Sequence, residues 1–211
     1  MNSSNDTYYT IESVSTGIFK DRGSKFLAFA HPVCSVDDAK KIIENYKKEY
    51  HDARHHCYAY IIGHENAVWR FNDDGEPSGT AGKPILSQIN SRNLTNVLVV
   101  VVRYFGGTLL GTGGLINAYK TASAEALNNA IIIEKYIENL ISVRFPYSRL
   151  NTVMKLLNDA KATIKKQEFG EQCEIIASIR KSKHGIVIKK LSECRDIEIL
   201  LPSQNGNEIF E

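Results

Sequence analysis

The stretch Val97-Leu98-Val99-Val100-Val101-Val102-Arg103-Tyr104-Phe105-Gly106-Gly107-Thr108-Leu109-Leu110-Gly111-Thr112-Gly113-Gly114-Leu115-Ile116-Asn117-Ala118-Tyr119-Lys120 decides the architecture. Val97 to Val102 is a short, mostly β-branched apolar run, the pattern of a strand buried on both faces. Arg103 closes it. A glycine-rich loop follows, and then Leu115, Ala118, Tyr119, Ala122 and Ala126 recur at helical spacing. The unit reads as strand, glycine loop, helix. Gly106, Gly107, Gly111, Gly113 and Gly114 permit positive φ and close approach to the backbone. The N–H groups at the helix start, beside Arg103, suit an anion. The Arg103 guanidinium is expected at the carboxyl end of the sheet, the edge where open α/β sheets take their ligands.

Working outward toward the N-terminus, Cys57–Ile62 is a second apolar run and a candidate central strand, with Ala67–Phe71 expected beside it. Tyr8–Phe19 and Lys25–Val33 predict two strands around the turn Asp21-Arg22-Gly23-Ser24. Ser35 is placed to cap a helix whose buried stripe is Val36, Ala39, Ile42, Ile43, Tyr46 and Tyr50. Between these elements runs Asp73-Asp74-Gly75-Glu76-Pro77-Ser78-Gly79-Thr80-Ala81-Gly82-Lys83-Pro84, too rich in Gly, Pro and carboxylates to be regular. Pro84 opens a short helix through Ile89.

Beyond Ile133 the rhythm changes. Strands are predicted at Ile137–Phe145, Ala162–Phe169, Glu171–Arg180 and Ile197–Leu201, and helices around Leu150–Ala160 and Ile186–Cys194, before a polar tail Ser203–Glu211. The order β-α-β-β-α-β is the ferredoxin-like split pattern. The expected class is α+β, with one domain at 1–133 and a second at 134–211.

Composition narrows the function. Lys+Arg 26 against Asp+Glu 24 is near balance, so contact with nucleic acid must come from local patches. Cys34, Cys57, Cys173 and Cys194 form no C-x-x-C pair, which argues against a zinc ribbon and for free thiols in a reducing, cytoplasmic setting. No apolar run approaches the ~20 residues of a membrane helix. His51 and His55 are spaced for a metal only if both lie on one helix, and a strand is expected at Cys57, so no metal is assigned. The glycine loop lacks both the Walker spacing and the dinucleotide spacing Gly-x-Gly-x-x-Gly. No cofactor is assigned either.

Candidate anion ligands are Arg54, His55, His56, Asp74, Glu76, Lys83 and Arg103, with the amides of Gly106, Gly107, Gly111, Gly113 and Gly114. The competing reading pairs Arg103 with a carboxylate of the Asp73 loop. Asp74 or Glu76 could alternatively serve as a base. In the second domain Arg180, Lys181, Lys183, Lys189 and Lys190 form a basic cluster, either a solvated face or a contact to RNA phosphates.

Ser24-Lys25-Phe26, Ala53-Arg54-His55-His56-Cys57, the Asp73–Pro84 run and Val102-Arg103-Tyr104-Phe105-Gly106-Gly107-Thr108-Leu109-Leu110-Gly111 together resemble the IMPACT family over essentially the whole chain. The resemblance implies an N-terminal two-layer α/β sandwich similar to the second domain of a small-subunit ribosomal protein, a module also found in translational GTPases and small-molecule kinases. It implies a C-terminal ferredoxin-like domain similar to domain five of elongation factor G. Both modules point to a non-enzymatic protein that associates with RNA or the ribosome in translation or its regulation. The first alternative is an enzyme acting on a phosphorylated small molecule held at the glycine loop. The second is a protein-binding module presenting Tyr104 and Phe105. Oligomeric state is not legible.

Overall fold

A computed structural model describes residues 6–64 and 67–200. The tail Ser203–Glu211 and the end of the expected last strand lie outside these residues. The chain divides into two compact units, Tyr8–Lys135 and the pair of segments Met1–Thr7 and Tyr136–Glu211. Among the described residues no helix is long and apolar enough to cross a membrane.

The 8–135 unit is built on five strands: β2 (Ser15–Asp21), β3 (Ser24–Pro32), β4 (His55–Ile62), β5 (Val68–Asn72) and β6 (Val97–Tyr104). A short strand β1 (Thr7–Ile11) precedes them and belongs to a separate ribbon. The sheet order is β2-β3-β6-β4-β5, and every neighbouring pair is antiparallel. The rule that ligands sit at the carboxyl end of the sheet, from which the place of Arg103 was expected, therefore does not apply here. Antiparallel strands place both kinds of strand end at each edge, so that rule selects neither. Arg22 and Gly23 take φ of 44° and 78°, the two consecutive positive values of a tight hairpin turn between β2 and β3.

Helices cover both faces of this sheet. On one lies α1 (Val36–Glu49), capped by the Ser35 hydroxyl, which accepts from Asp38 N–H at 3.1 Å. Its Ala39 and Ile43 pack with Leu98, Val100 and Val102. On the other face lie α2 (Gly82–Asn90) and α3 (Gly111–Asn128), whose Ile85, Ile89, Ala118, Tyr119 and Ala122 pack with Phe26, Cys57, Val99 and Val101. The unit thus has three layers rather than the two implied by the family resemblance. The physical reason is in β6: all of Val97–Val102 is fully buried, and a strand apolar on both faces needs cover on both. Packing of α3 is close. A Cβ on Gly17 would lie 2.4 Å from Ala126 N and 2.8 Å from Ala122 O, so only glycine fits beneath the helix.

A further strand, β7 (Ile132–Tyr136), pairs with β1 in a two-stranded ribbon. Neither was foreseen as a separate element. The expected single strand Tyr8–Phe19 is broken between Ile11 and Ser15.

In the other unit, β8 (Glu138–Pro146), α4 (Leu150–Asp159), β9 (Thr163–Glu168), β10 (Gln172–Arg180), α5 (Lys181–Ser192) and β11 (Glu198–Leu200) follow the βαββαβ order. Their antiparallel sheet runs β11-β8-β10-β9. Alternation puts Ile141, Val143, Phe145, Ile175 and Ile179 on the helix-covered face, against Val153, Leu157, Val187 and Leu191. The start of α5 is held by a residue distant in sequence. Asp6 Oδ1 accepts from Ser182 N–H at 2.9 Å, and Asp6 O accepts from Ile137 N–H at 2.8 Å.

Candidate anion-binding cleft

The site begins with strand register. Antiparallel pairing sets Phe26 of β3 and His55 of β4 directly opposite Arg103 of β6, so the three form one row across the sheet. Period-two alternation turns Arg103 to the same face as Val99 and Val101, toward α3. Arg103 does not close the strand, as its sequence position suggested, but lies within it at 5% exposure. A buried guanidinium needs a counter-charge, and the Asp73 loop supplies it. Arg103 Nη1 donates to Glu76 Oε1 at 2.6 Å. The same oxygen accepts from the Tyr119 hydroxyl at 2.8 Å, and His55 Nε2 stands 3.8 Å away. Arg103 Nε is buried with no acceptor among the described residues.

Loop geometry brings Glu76 to this point. The Asp73 carboxylate accepts from the N–H groups of Gly79, Ala81 and Gly82 at 2.8–3.0 Å, winding residues 73–82 around one side chain. Asp74 O contacts His55 Nδ1 at 2.7 Å, and Asp74 Oδ2 accepts from His56 N–H at 2.6 Å. Cys57 Sγ donates to Asp73 O, and burial pushes its thiol pKa well above the usual range, which favours the protonated thiol.

A cleft of about 340 Å³ opens between the Asp73 loop, the 105–110 loop and the start of α3. Arg54, His55, Glu76, Arg103 and Gly111 line it, together with Phe105, Leu109 and Leu110. Both guanidinium groups lie over the Phe105 ring, Arg54 Cζ at 5.9 Å and Arg103 Cζ at 5.6 Å from its centroid; Arg103 also lies over Phe26 at 5.4 Å. At the α3 start, where Gly111 and Thr112 line the cleft, no side chain among the described residues caps the helix.

Of the residues singled out from sequence, His56, Asp74, Lys83, Gly106, Gly107, Gly113 and Gly114 do not line the cleft. His56 and Asp74 hold the β4 end to the loop, and Lys83 is exposed on α2. Gly106 has a structural task. A Cβ there would lie 1.9 Å from Gly23 C, and its N–H donates to Ser24 Oγ at 3.1 Å. Sequence reasoning missed Tyr119 as a polar participant. A tyrosine in an alanine-rich buried stripe was the available signal, since a buried phenol needs a partner.

The basic cluster of the other unit is partly engaged. Arg180 lies over the Tyr136 ring, Lys183 Nζ donates to Ala160 O at 3.3 Å, and Lys181 is likewise engaged. Lys189 and Lys190 are exposed in the last turn of α5, where they also complement the helix dipole.

These features define a class of α+β protein: a three-layer unit whose strand–glycine loop–helix junction forms an arginine-lined cleft, carried on one chain with a βαββαβ unit. The family model of the Impact N-terminal domain matches residues 22–127. IMPACT family member YvyE of Bacillus subtilis (strain 168) is 33% identical over 168 residues, 80% of this chain and 77% of that protein. An IMPACT family member of Haemophilus influenzae is 35% identical over 175 residues, 81% of this chain and 84% of that protein. A crystal structure described as that of an hypothetical protein is similar at a TM-score of 0.72 and 28% identity, covering 94% of this chain and 98% of that one. The chain belongs to the IMPACT family.

Proposed function

We propose that this protein is a non-enzymatic factor of translation or its regulation that binds RNA through backbone phosphate at the cleft. One observation carries the reading: exposed Arg54 and buried Arg103, with its unpartnered Nε, share a cleft with the uncapped start of an 18-residue helix. Guanidinium groups and helix-terminal amides are common phosphate ligands in proteins. Membership of the IMPACT family and the implied likeness of both units to a ribosomal protein domain and to domain five of elongation factor G support the translational setting, although fold by itself does not assign function. Lys189 and Lys190 would extend the phosphate contacts.

The enzyme alternative is weaker on geometry. Glu76 Oε1 already accepts from Arg103 and Tyr119, so that oxygen is not free to take a substrate proton.

Salt dependence tests the proposal. With three to five phosphate contacts, log affinity for single-stranded RNA against log salt falls with a slope of roughly −2 to −4. Arg54→Ala reduces the steepness by about 0.7. Binding indifferent to salt, or unchanged in Arg54→Ala, overturns the proposal.

A further inference from the structure

The cleft is too large and too apolar for a phosphate alone. At about 340 Å³ it falls in the size range of small-molecule pockets. Its cationic side is Arg54 with Gly111 and Thr112 at the α3 start, and Phe105, Leu109, Leu110 and Leu115 make an apolar wall in the rest of its lining. Two of these are costly to leave in water. Leu109 is 82% exposed at the loop tip, and Phe105 is 40% exposed although both guanidinium groups lie over it. Backbone phosphate would use the cationic side and leave this wall wet. A flat aromatic base attached to that phosphate would cover it.

We infer that the cleft takes one unpaired nucleotide of an RNA single strand, its base against Phe105 and Leu109 and its phosphate at Arg54 and the first amides of α3. The inference rests on the phosphate reading above and adds the base. A base inside a duplex has both faces stacked on its neighbours and cannot offer one to a side chain, whereas an unstacked base can. Stacking of this kind tolerates any base, because every base has a π-face. Arg54 and Phe105, already in contact, present a charged plane and an aromatic plane side by side, the pair that single-strand sites combine.

Fluorescence anisotropy with a labelled single-stranded oligoadenylate, the same strand annealed to oligouridylate, and an abasic ribose-phosphate strand of equal length tests this. The single strand is expected to bind at least about ten-fold more tightly than the duplex. Phe105→Ala weakens single-strand binding by about five- to a hundred-fold while the salt slope stays that of the wild type. Leu109→Ser, at a position too exposed to matter for folding, weakens it several-fold. The abasic strand binds wild type about as weakly as the intact strand binds Phe105→Ala. Equal affinity for duplex and single strand, or for abasic and intact strand, overturns the base site while a surviving salt slope keeps the phosphate reading. Adenosine monophosphate displacing the strand at its own concentration would make a free nucleotide the ligand and overturn the inference. No binding of any strand at low salt removes both readings.

Discussion

Arg103 and Arg54 both lie over the Phe105 ring, yet Arg103 is buried and Arg54 exposed. Arg103→Ala deprives Glu76 of its ion pair inside the protein, and breaking such a pair costs about 3–5 kcal/mol. The urea midpoint of Arg103→Ala should fall accordingly; a wild-type midpoint would mean that the Glu76 contact contributes little. Arg54→Ala should change stability by less than about 0.5 kcal/mol, since the side chain is exposed and its loss leaves no buried charge. Arg54 is consequently the residue whose removal reports on binding without reporting on folding. From sequence the anion site centres on Arg103, with pairing to a carboxylate of the Asp73 loop as its rival, and Arg54 has the lesser part. What separates them is strand register, because only the pairing of Phe26 and His55 with Arg103 turns that side chain inward.

At the scale of elements, α1 is joined to the sheet by a hydrogen bond between His31 and the Tyr46 hydroxyl at 2.8 Å. Burial lowers the pKa of His31 against the opposing pull of Asp38, and burial, with Glu49 and Tyr50 adding, raises Tyr46 to about 12. His31 is therefore favoured neutral in the folded state; its contribution is complete above the ordinary histidine pKa of about 6.5 and is lost as pH falls. Tyr46 is favoured protonated, so its contribution is complete below about 10 and is lost as pH rises toward about 12. A plot of Tm against pH should be flat from about pH 7 to about 8, above which the buried Cys57 thiol and then the tyrosines start to lose their contributions. His31→Gln should make the acid limb shallower, and Tyr46→Phe the alkaline one, which Tyr50, Tyr104 and Tyr119 share. Limbs identical to wild type in both variants would refute this account.

The glycine loop gives a second test at this scale. Gly106→Ala drives a Cβ into the Gly23–Ser24 peptide and should cost at least about 1–3 kcal/mol or abolish folding. Gly113→Ala meets open space in the first turn of α3 and should stabilise by up to about 1 kcal/mol. Circular dichroism melts of the two proteins would show whether the loop glycines have these separate roles. The sequence read the strand, loop and helix here correctly because each has a local signature: a β-branched run, turn residues, and apolar residues at helical spacing. It did not reveal the third layer, since the stripe of α1 says that one face is buried and not which sheet face it covers. The cleft was legible as a place. Of its apolar wall, sequence singles out Phe105 only as a protein-binding aromatic and Leu109 not at all, because a loop leucine becomes part of a wall only once the loop is folded.

At the scale of the molecule, residues on both sides of the 8–135 unit form the other unit. Asp6 holds the start of α5 from a position more than 170 residues away in sequence. Asp6→Ala should lower the stability of the βαββαβ unit by about 1 kcal/mol, the usual worth of a capping carboxylate, and leave the cleft unit unchanged. Domain-resolved hydrogen exchange would show it, and a uniform loss in both units would contradict it. We further propose that a protease cut near Tyr136 leaves two fragments that co-elute, because Asp6 of the first fragment remains bonded to Ile137 and Ser182 of the second. Fragments that separate without denaturant would refute that.

The middle strand of the five-stranded sheet is also its last in sequence. β6 joins β3 to β4, pairing Lys25 with Tyr104 and His55 with Arg103. During synthesis, then, the β2–β3 hairpin and the β4–β5 pair emerge first, as two separate ribbons with open inner edges. Neither gains its neighbour until the chain has grown past Tyr104. Such long-range closure is slow, and exposed edges in the interval invite pairing with other chains. The row Phe26, Arg103 and His55 comes together only at this closing step. The cleft therefore cannot form before the sheet is complete and α3 has followed it, and a nascent chain halted before β6 has hairpins but no cleft.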